Sequence, residues 1–244
     1  MILVNQKMRD YAKVIVKVGA NVQPKQRVII DAIVDAVPLV NLVVEECYRA
    51  GASHVEVRYD DIRYKRLQYQ NEALDVLTDL PDYFVKYRSE DVLKKGACRI
   101  AIRGSDPNGF KGIDPKKIMQ IQRALSTKLK PLSEWTMKSK CQWTIACWPS
   151  VEWAQLVFPK LTPEKAVDAL WEAILKTVRV DGKSNPIAAW KQHNDLVETY
   201  ATKLNKYNFD YIECKNKLGT NIKIKLVKNH IWLSGRERGL HNQW

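Results

Sequence analysis

Residues 24–59, PKQRVIIDAIVDAVPLVNLVVEECYRAGASHVEVRY, decide the fold class. Pro24 breaks whatever precedes it. Arg27-Val28-Ile29-Ile30-Asp31 is a short β-branched run that reads as a strand. Residues 37–50 place Leu39, Val40, Val43, Val44 and Cys47 on one helical face. Gly51 stands where a helix ends on a left-handed residue. His54 to Tyr59 then alternates as a half-buried strand does.

Helical and strand patterns go on alternating on either side. Upstream, residues 7–19 put Tyr11, Ala12, Ile15 and Val18 on one helical face. Downstream, a helix begins near Pro81, carries Tyr83, Phe84, Tyr87 and Leu93, and stops at Gly96. Cys98 to Ile102 is the next strand, and Ser105-Asp106-Pro107-Asn108-Gly109 is dense in turn residues. Asp114 and Pro115 open a further helix as cap and first residue, and Trp143 to Cys147 is another strand. Strands separated by helices predict an α/β fold with a mostly parallel sheet flanked by helices.

The pattern changes after Pro149. Residues 150–157, 163–178 and about 188–206 read as helices, with a breaker at Asp181-Gly182-Lys183-Ser184-Asn185-Pro186. Tyr211 to Cys214 and residues 222–227 read as strands joined at Leu218-Gly219-Thr220. In the second, Ile222, Ile224 and Leu226 alternate with Lys223 and Lys225. The expected division is an α/β amino-terminal domain over 1–183, then a linker helix and the incomplete start of a second, β-rich domain over 184–244.

The 244 residues suit one large domain or a domain and a half, and 45% of them are apolar. No run reaches the roughly 18 apolar residues of a membrane span. The opening residues Met1 to Lys7 lack the charged leader and apolar length of a signal peptide. Five cysteines without CxxC spacing argue against a disulfide framework and for a reducing cytoplasm. The formal charge of +13 invites a nucleic-acid reading. The lysines are scattered, however, with no basic helix or aromatic-basic pattern, so a solvated surface is the better account.

Tests for chemistry return little. No GxGxxG follows a strand. Gly182-Lys183-Ser184 ends like a phosphate loop, but Thr177 stands where a glycine is required and no strand precedes it. Asp60-Asp61 after a strand could bind a cation or act as acid and base, yet an exposed turn with a helix cap explains it better. Asp106 and Asn108 fit turn chemistry. His54, His193, His230 and His241 form no HExxH pair, and His193 shares a helix face with Trp190, as packing partners do. No catalytic, cofactor-binding or metal-ligating residue is assigned.

The order of several segments is more informative. Asp10-Tyr11-Ala12-Lys13-Val14-Ile15-Val16-Lys17-Val18-Gly19 is followed by Val22-Gln23-Pro24-Lys25-Gln26, Pro38-Leu39-Val40, Glu45-Glu46 and Ala50-Gly51-Ala52. Next come Lys111-Gly112-Ile113-Asp114-Pro115, Trp143-Thr144-Ile145, Trp153-Ala154 and Val157-Phe158-Pro159. Trp190-Lys191-Gln192-His193, Leu204-Asn205, Leu218-Gly219-Thr220-Asn221 and His230-Ile231-Trp232 complete the series. It is collinear from about residue 8 to 233 and resembles the amino-terminal part of thermophilic-metalloprotease-type aminopeptidases.

The resemblance implies two divalent metal ions (zinc, cobalt or magnesium) held in a carboxyl-terminal domain of the complete enzyme, a peptide substrate, and a homodimer as in the family. The first ligand glutamate of that family lies shortly beyond the position matching Trp232. Residues 234–244 depart from the family pattern, so no ligand is carried over, and Glu237 and His241 receive no role. The expected function is that of an amino-terminal fragment of a metal-dependent aminopeptidase, inactive alone. The alternatives are the partner chain of a split aminopeptidase and a repurposed basic α/β binding module.

Overall fold

The computed structural model describes residues 5–234. Its main sheet joins β1 (Arg27–Ile33), β2 (His54–Asp60), β3 (Cys98–Arg103) and β4 (Trp143–Cys147) in the order β2-β1-β3-β4, all neighbours parallel. The parallel α/β class expected from the sequence is therefore the observed one. The chain runs from β1 outward to β2, then returns to the other side of β1 to lay down β3 and β4. That reversal puts a topological switch between the carboxyl ends of β1 and β3, where sheets of this kind form a crevice.

One face of the sheet carries the main core. Val28, Ile30 and Ala32 of β1, with Cys98, Ile100 and Ile102 of β3, point into a cluster with α1 (Gln6–Val14), α2 (Val37–Arg49) and α9 (Pro163–Thr177). Each strand supplies alternate residues to this face, as the period of two requires. Leu39, Val40 and Val43 of α2 are buried in it, on the stripe read from the sequence. Pro38 lies in the first turn of α2, where no intrahelical N–H is lost. Gly51 has φ +90 after its end.

The other face is covered only in part. α5 (Asp82–Lys95) and α7 (Lys130–Met137) bring Val92 and Leu132 over Ile29, with Trp135 alongside. α6 (Pro115–Lys128) begins on the expected cap, Asp114 accepting from the Lys116 N–H at 2.9 Å. Three helices were not foreseen in the sequence: α3 (Ile62–Asn71), α4 (Leu74–Thr78) and α7. α3 and α4 bury no residue, and α7 fully buries one, Leu132, so no apolar stripe marks them.

Tyr11 of α1 ties the amino-terminal helix to the sheet edge. Its buried phenol oxygen accepts from the Cys147 N–H at 2.9 Å and donates to the Cys147 carbonyl at 3.3 Å. Burial pushes the Tyr11 hydroxyl well above its ordinary range, so it stays neutral and keeps its donor. The ring stands edge-on to Trp171, centroids 5.7 Å apart. We expect Tyr11→Phe to lower stability by about 1–3 kcal/mol, the cost of leaving buried backbone groups unpaired. Urea unfolding of the two proteins measures it, and equal midpoints would show that water replaces the phenol.

After α8 (Val151–Val157) and α9, α10 (Pro186–Tyr207) packs Ile187 and Trp190 against the main core. Asn205 of α10 then grips the backbone of Trp232, donating to its carbonyl at 2.9 Å and accepting from its N–H at 2.7 Å. Between them lies an antiparallel hairpin of β5 (Tyr211–Lys215) and β6 (Asn221–Lys225). Its register pairs Ile212 with Ile224 and Cys214 with Ile222, one apolar face, while Lys215, Lys223 and Lys225 lie on the other. Asn216 shapes the turn by accepting from the N–H groups of Leu218 and Thr220, and Gly219 takes φ +98.

Both hairpin strands are largely exposed, unlike β3. Strands with little buried area open at low free energy. We therefore expect the amides of β5 and β6 to exchange with deuterium faster than those of β3 by orders of magnitude. Equal protection would mean that another surface covers the hairpin in solution.

Candidate functional site

Parallel α/β sheets ordinarily bind ligands beyond the carboxyl ends of their strands. Past β2, Asp61 caps α3 by accepting from the Arg63 N–H at 2.9 Å, the cap expected from the sequence. Its carboxyl also meets the Arg63 guanidinium, which holds it below the usual carboxylate range. Asp60 pairs with Lys65 at 2.6 Å. The two neighbouring carboxylates are thus spent on separate partners, and do not form an acid–base couple. Past β3, Asp106 accepts from the Asn108 N–H at 2.8 Å, a local turn bond.

The phosphate-loop lookalike is closed by its own neighbour. Asp181 accepts from the N–H groups of Lys183 and Ser184, each at 2.8 Å, and from the Ser184 hydroxyl at 2.9 Å. These bonds hold its carboxyl at about 2. Backbone donors that would cradle a phosphate already cradle a carboxylate.

His54, His193 and His230 lie on separate elements. His193 stands edge-on to Trp190 at 5.7 Å, the packing read from the sequence, and His230 stands edge-on to Trp232 at 5.9 Å. Glu237 and His241 fall outside the described residues. Cys47, Cys98 and Cys141 are buried, and burial pushes the Cys47 thiol to about 12, far from a reactive thiolate. Among the described residues no group of three or more His, Cys, Asp and Glu side chains gathers as a metal requires. The two-metal centre implied by the resemblance does not fit these side chains.

A charged cluster that the sequence reading did not single out lies on the partly covered face of the sheet, across β1 and β3. Asp31 of β1 is buried on the partly covered face of the sheet. Arg88 of α5 approaches its Oδ1 at 3.1 Å, and Arg99 of β3 approaches its Oδ2 at 3.4 Å. Arg103 donates to the Asp31 carbonyl oxygen at 3.3 Å. The Arg88 contact is ionic without hydrogen-bond alignment, since Oδ1 accepts no bond from a described residue. Beside them Arg58 is satisfied by Glu56 at 2.8 Å and by the Tyr87 carbonyl at 2.6 Å.

β4 borders this cluster. The register sets Arg99 beside Trp143, Ala101 beside Ile145 and Arg103 beside Cys147. Trp143 is 45% exposed and Ile145 is 60% exposed, on a sheet face that parallel folds ordinarily cover with a helix. The available sequence signal was the alternation itself. Arg99, Ala101 and Arg103 alternate with three core residues, and Trp143 and Ile145 with Thr144 and Ala146.

Comparisons with known proteins agree with one another. The family model described as thermophilic metalloprotease (M29) matches residues 4–243, ten residues past the 233 reached by the sequence segments. Aminopeptidase PepS of Streptococcus thermophilus is 36% identical over 237 residues, covering 96% of this chain and 57% of its own length. Aminopeptidase AmpS of Bacillus subtilis is 33% identical, covering 93% of this chain and 55% of its own. The structure of wild-type AmpT from Thermus thermophilus superposes with a TM-score of 0.89 at 31% identity, over 97% of this chain and 57% of that one. The chain thus spans a little over half the length of the relatives it matches.

Proposed function

The chain belongs to the thermophilic metalloprotease family, M29, and from that premise we propose that it supplies the α/β portion of a metal-dependent aminopeptidase, which removes amino-terminal residues from peptides. The observation that carries this reading is the superposition with AmpT, which covers 97% of this chain at 31% identity. In a complete enzyme, bound divalent metal ions would supply the hydrolytic chemistry. The ligands for that chemistry lie in polypeptide other than residues 5–234, and this chain shapes the approach to it. By itself the chain does not turn peptide over. The reading is tested by comparing its turnover with that of a fusion carrying the carboxyl-terminal half of a relative.

The setting we propose is the cytoplasm. Five free cysteines, three of them buried beside apolar groups, support a reducing compartment. No described helix is long and apolar enough to cross a membrane.

A further inference from the structure

We propose that the partly covered sheet face where Arg88, Arg99 and Arg103 surround Asp31, beside Trp143 and Ile145, binds the free carboxylate end of a short apolar peptide. The proposal deepens the aminopeptidase reading and rests on it, since a peptide held by its amino end presents a carboxylate at the other.

Charge decides the sign of the ligand. Three guanidinium groups meet at a single residue bearing one carboxylate, an excess of positive charge at a half-buried place. Arg58 adds no further excess, because Glu56 neutralises it. Arg99 is engaged by Thr136 and Asp31, but the other two arginines keep donors to spare. Arg103 is exposed and gives one bond to a carbonyl, and Arg88 is not aligned on Asp31. A guanidinium offers parallel N–H groups that match a carboxylate fork.

Shape and polarity decide what carries the charge. Ile145 and Trp143 extend the face away from the arginines as an exposed apolar strip on an edge strand. An inorganic anion has nothing to place on that strip. A peptide ending in leucine has a carboxylate for the arginines and a side chain for the strip.

Calorimetric titration of the full chain with Ala-Leu-Leu, as free acid and as carboxamide, tests the assignment. The free acid is expected to bind at least roughly tenfold more tightly, as charge-assisted bonds dictate. Arg103→Gln is expected to abolish that preference, and Arg103→Lys to keep part of it. Arg103 is exposed, so these variants keep the fold, which circular dichroism verifies. Ile145→Asp is expected to weaken the free acid by a similar factor.

Equal binding of acid and carboxamide, or no saturable binding, would overturn the proposal. So would displacement by inorganic phosphate with an affinity equal to the peptide's, which would make the face a simple anion site. A dimer that Ile145→Asp dissolves would assign the face to a second copy of the chain instead. None of these readouts needs catalysis. Loss of the carboxylate preference in a fusion that still hydrolyses peptides would sink this inference alone, and binding without hydrolysis by the fusion would sink the aminopeptidase reading alone.

Discussion

Purified and supplied with zinc, cobalt or magnesium, the 244-residue chain is expected to release no product from aminoacyl-anilides or dipeptides. Amide bonds are very stable in water, and enzymes lower such barriers by on the order of 8–23 kcal/mol. In metal-assisted hydrolysis most of that comes from the metal-bound nucleophile and from carbonyl polarisation. The described residues offer neither a ligand cluster nor a substitute. Asp60 and Asp61 are engaged by Lys65 and by Arg63, and the buried cysteines are protonated.

Fusing the carboxyl-terminal half of a relative in frame after Trp232 should bring metal binding and hydrolysis together. The rates of the two proteins at equal concentration and saturating metal should differ by about a million-fold or more. Elemental analysis after dialysis should find tightly held metal in the fusion alone. Metal-dependent turnover by the 244-residue chain itself would mean that the active site has been misplaced. Recovery of activity on mixing the two halves as separate polypeptides would favour a split enzyme.

The largest loss of stability from a single methyl group is expected at Gly104. This residue follows β3 with φ +141, a region that residues with a Cβ rarely enter. A Cβ there would also collide with the backbone carbonyl of Trp148, which cannot swing aside as a flexible side chain can. Trp148 is fixed on both sides. Its N–H donates to the Arg103 carbonyl at 2.7 Å, and its buried ring lies 5.6 Å from that of Trp171. Yielding to the new methyl would therefore shift the β4 end and the Tyr11–Trp171 contact with it.

We expect Gly104→Ala to cost at least about 3 kcal/mol, strain and overpacking combined. That is a large share of the roughly 5–15 kcal/mol that holds a domain folded. Gly96→Ala provides the reference. Gly96 is left-handed at φ +65 but has open space around its missing Cβ, so about 1–2 kcal/mol of backbone strain is all it should lose. Urea midpoints at unchanged slope would report both. Equal losses would show that the Trp148 contact relaxes freely.

Elements that bury an apolar stripe or end on a special residue were legible one by one. β1, α2, β2, β3 and β4 were read within a residue or two, as were the Asp114 cap and the hairpin turn around Gly219. Each depends on neighbours a few residues away, and local sterics and burial period carry that information. α3 and α4 escaped because they bury nothing. A helix without a buried face leaves no periodic mark in its sequence.

The residues alone determined that strands and helices alternate, that the sheet is mostly parallel, and that the segments from 8 to 233 stand in the order of a known family. Tertiary structure alone decided the strand order β2-β1-β3-β4, because a parallel strand can cross over to either side of its neighbour with the same local pattern. It alone brought Tyr11 onto Cys147 across 136 positions of sequence and gathered Arg88, Arg99 and Arg103 around Asp31. Such meetings depend on where whole elements pack, and a charge looks the same in sequence whether it faces water or a crevice. Which arginines are surplus became visible only once the sheet had set them side by side.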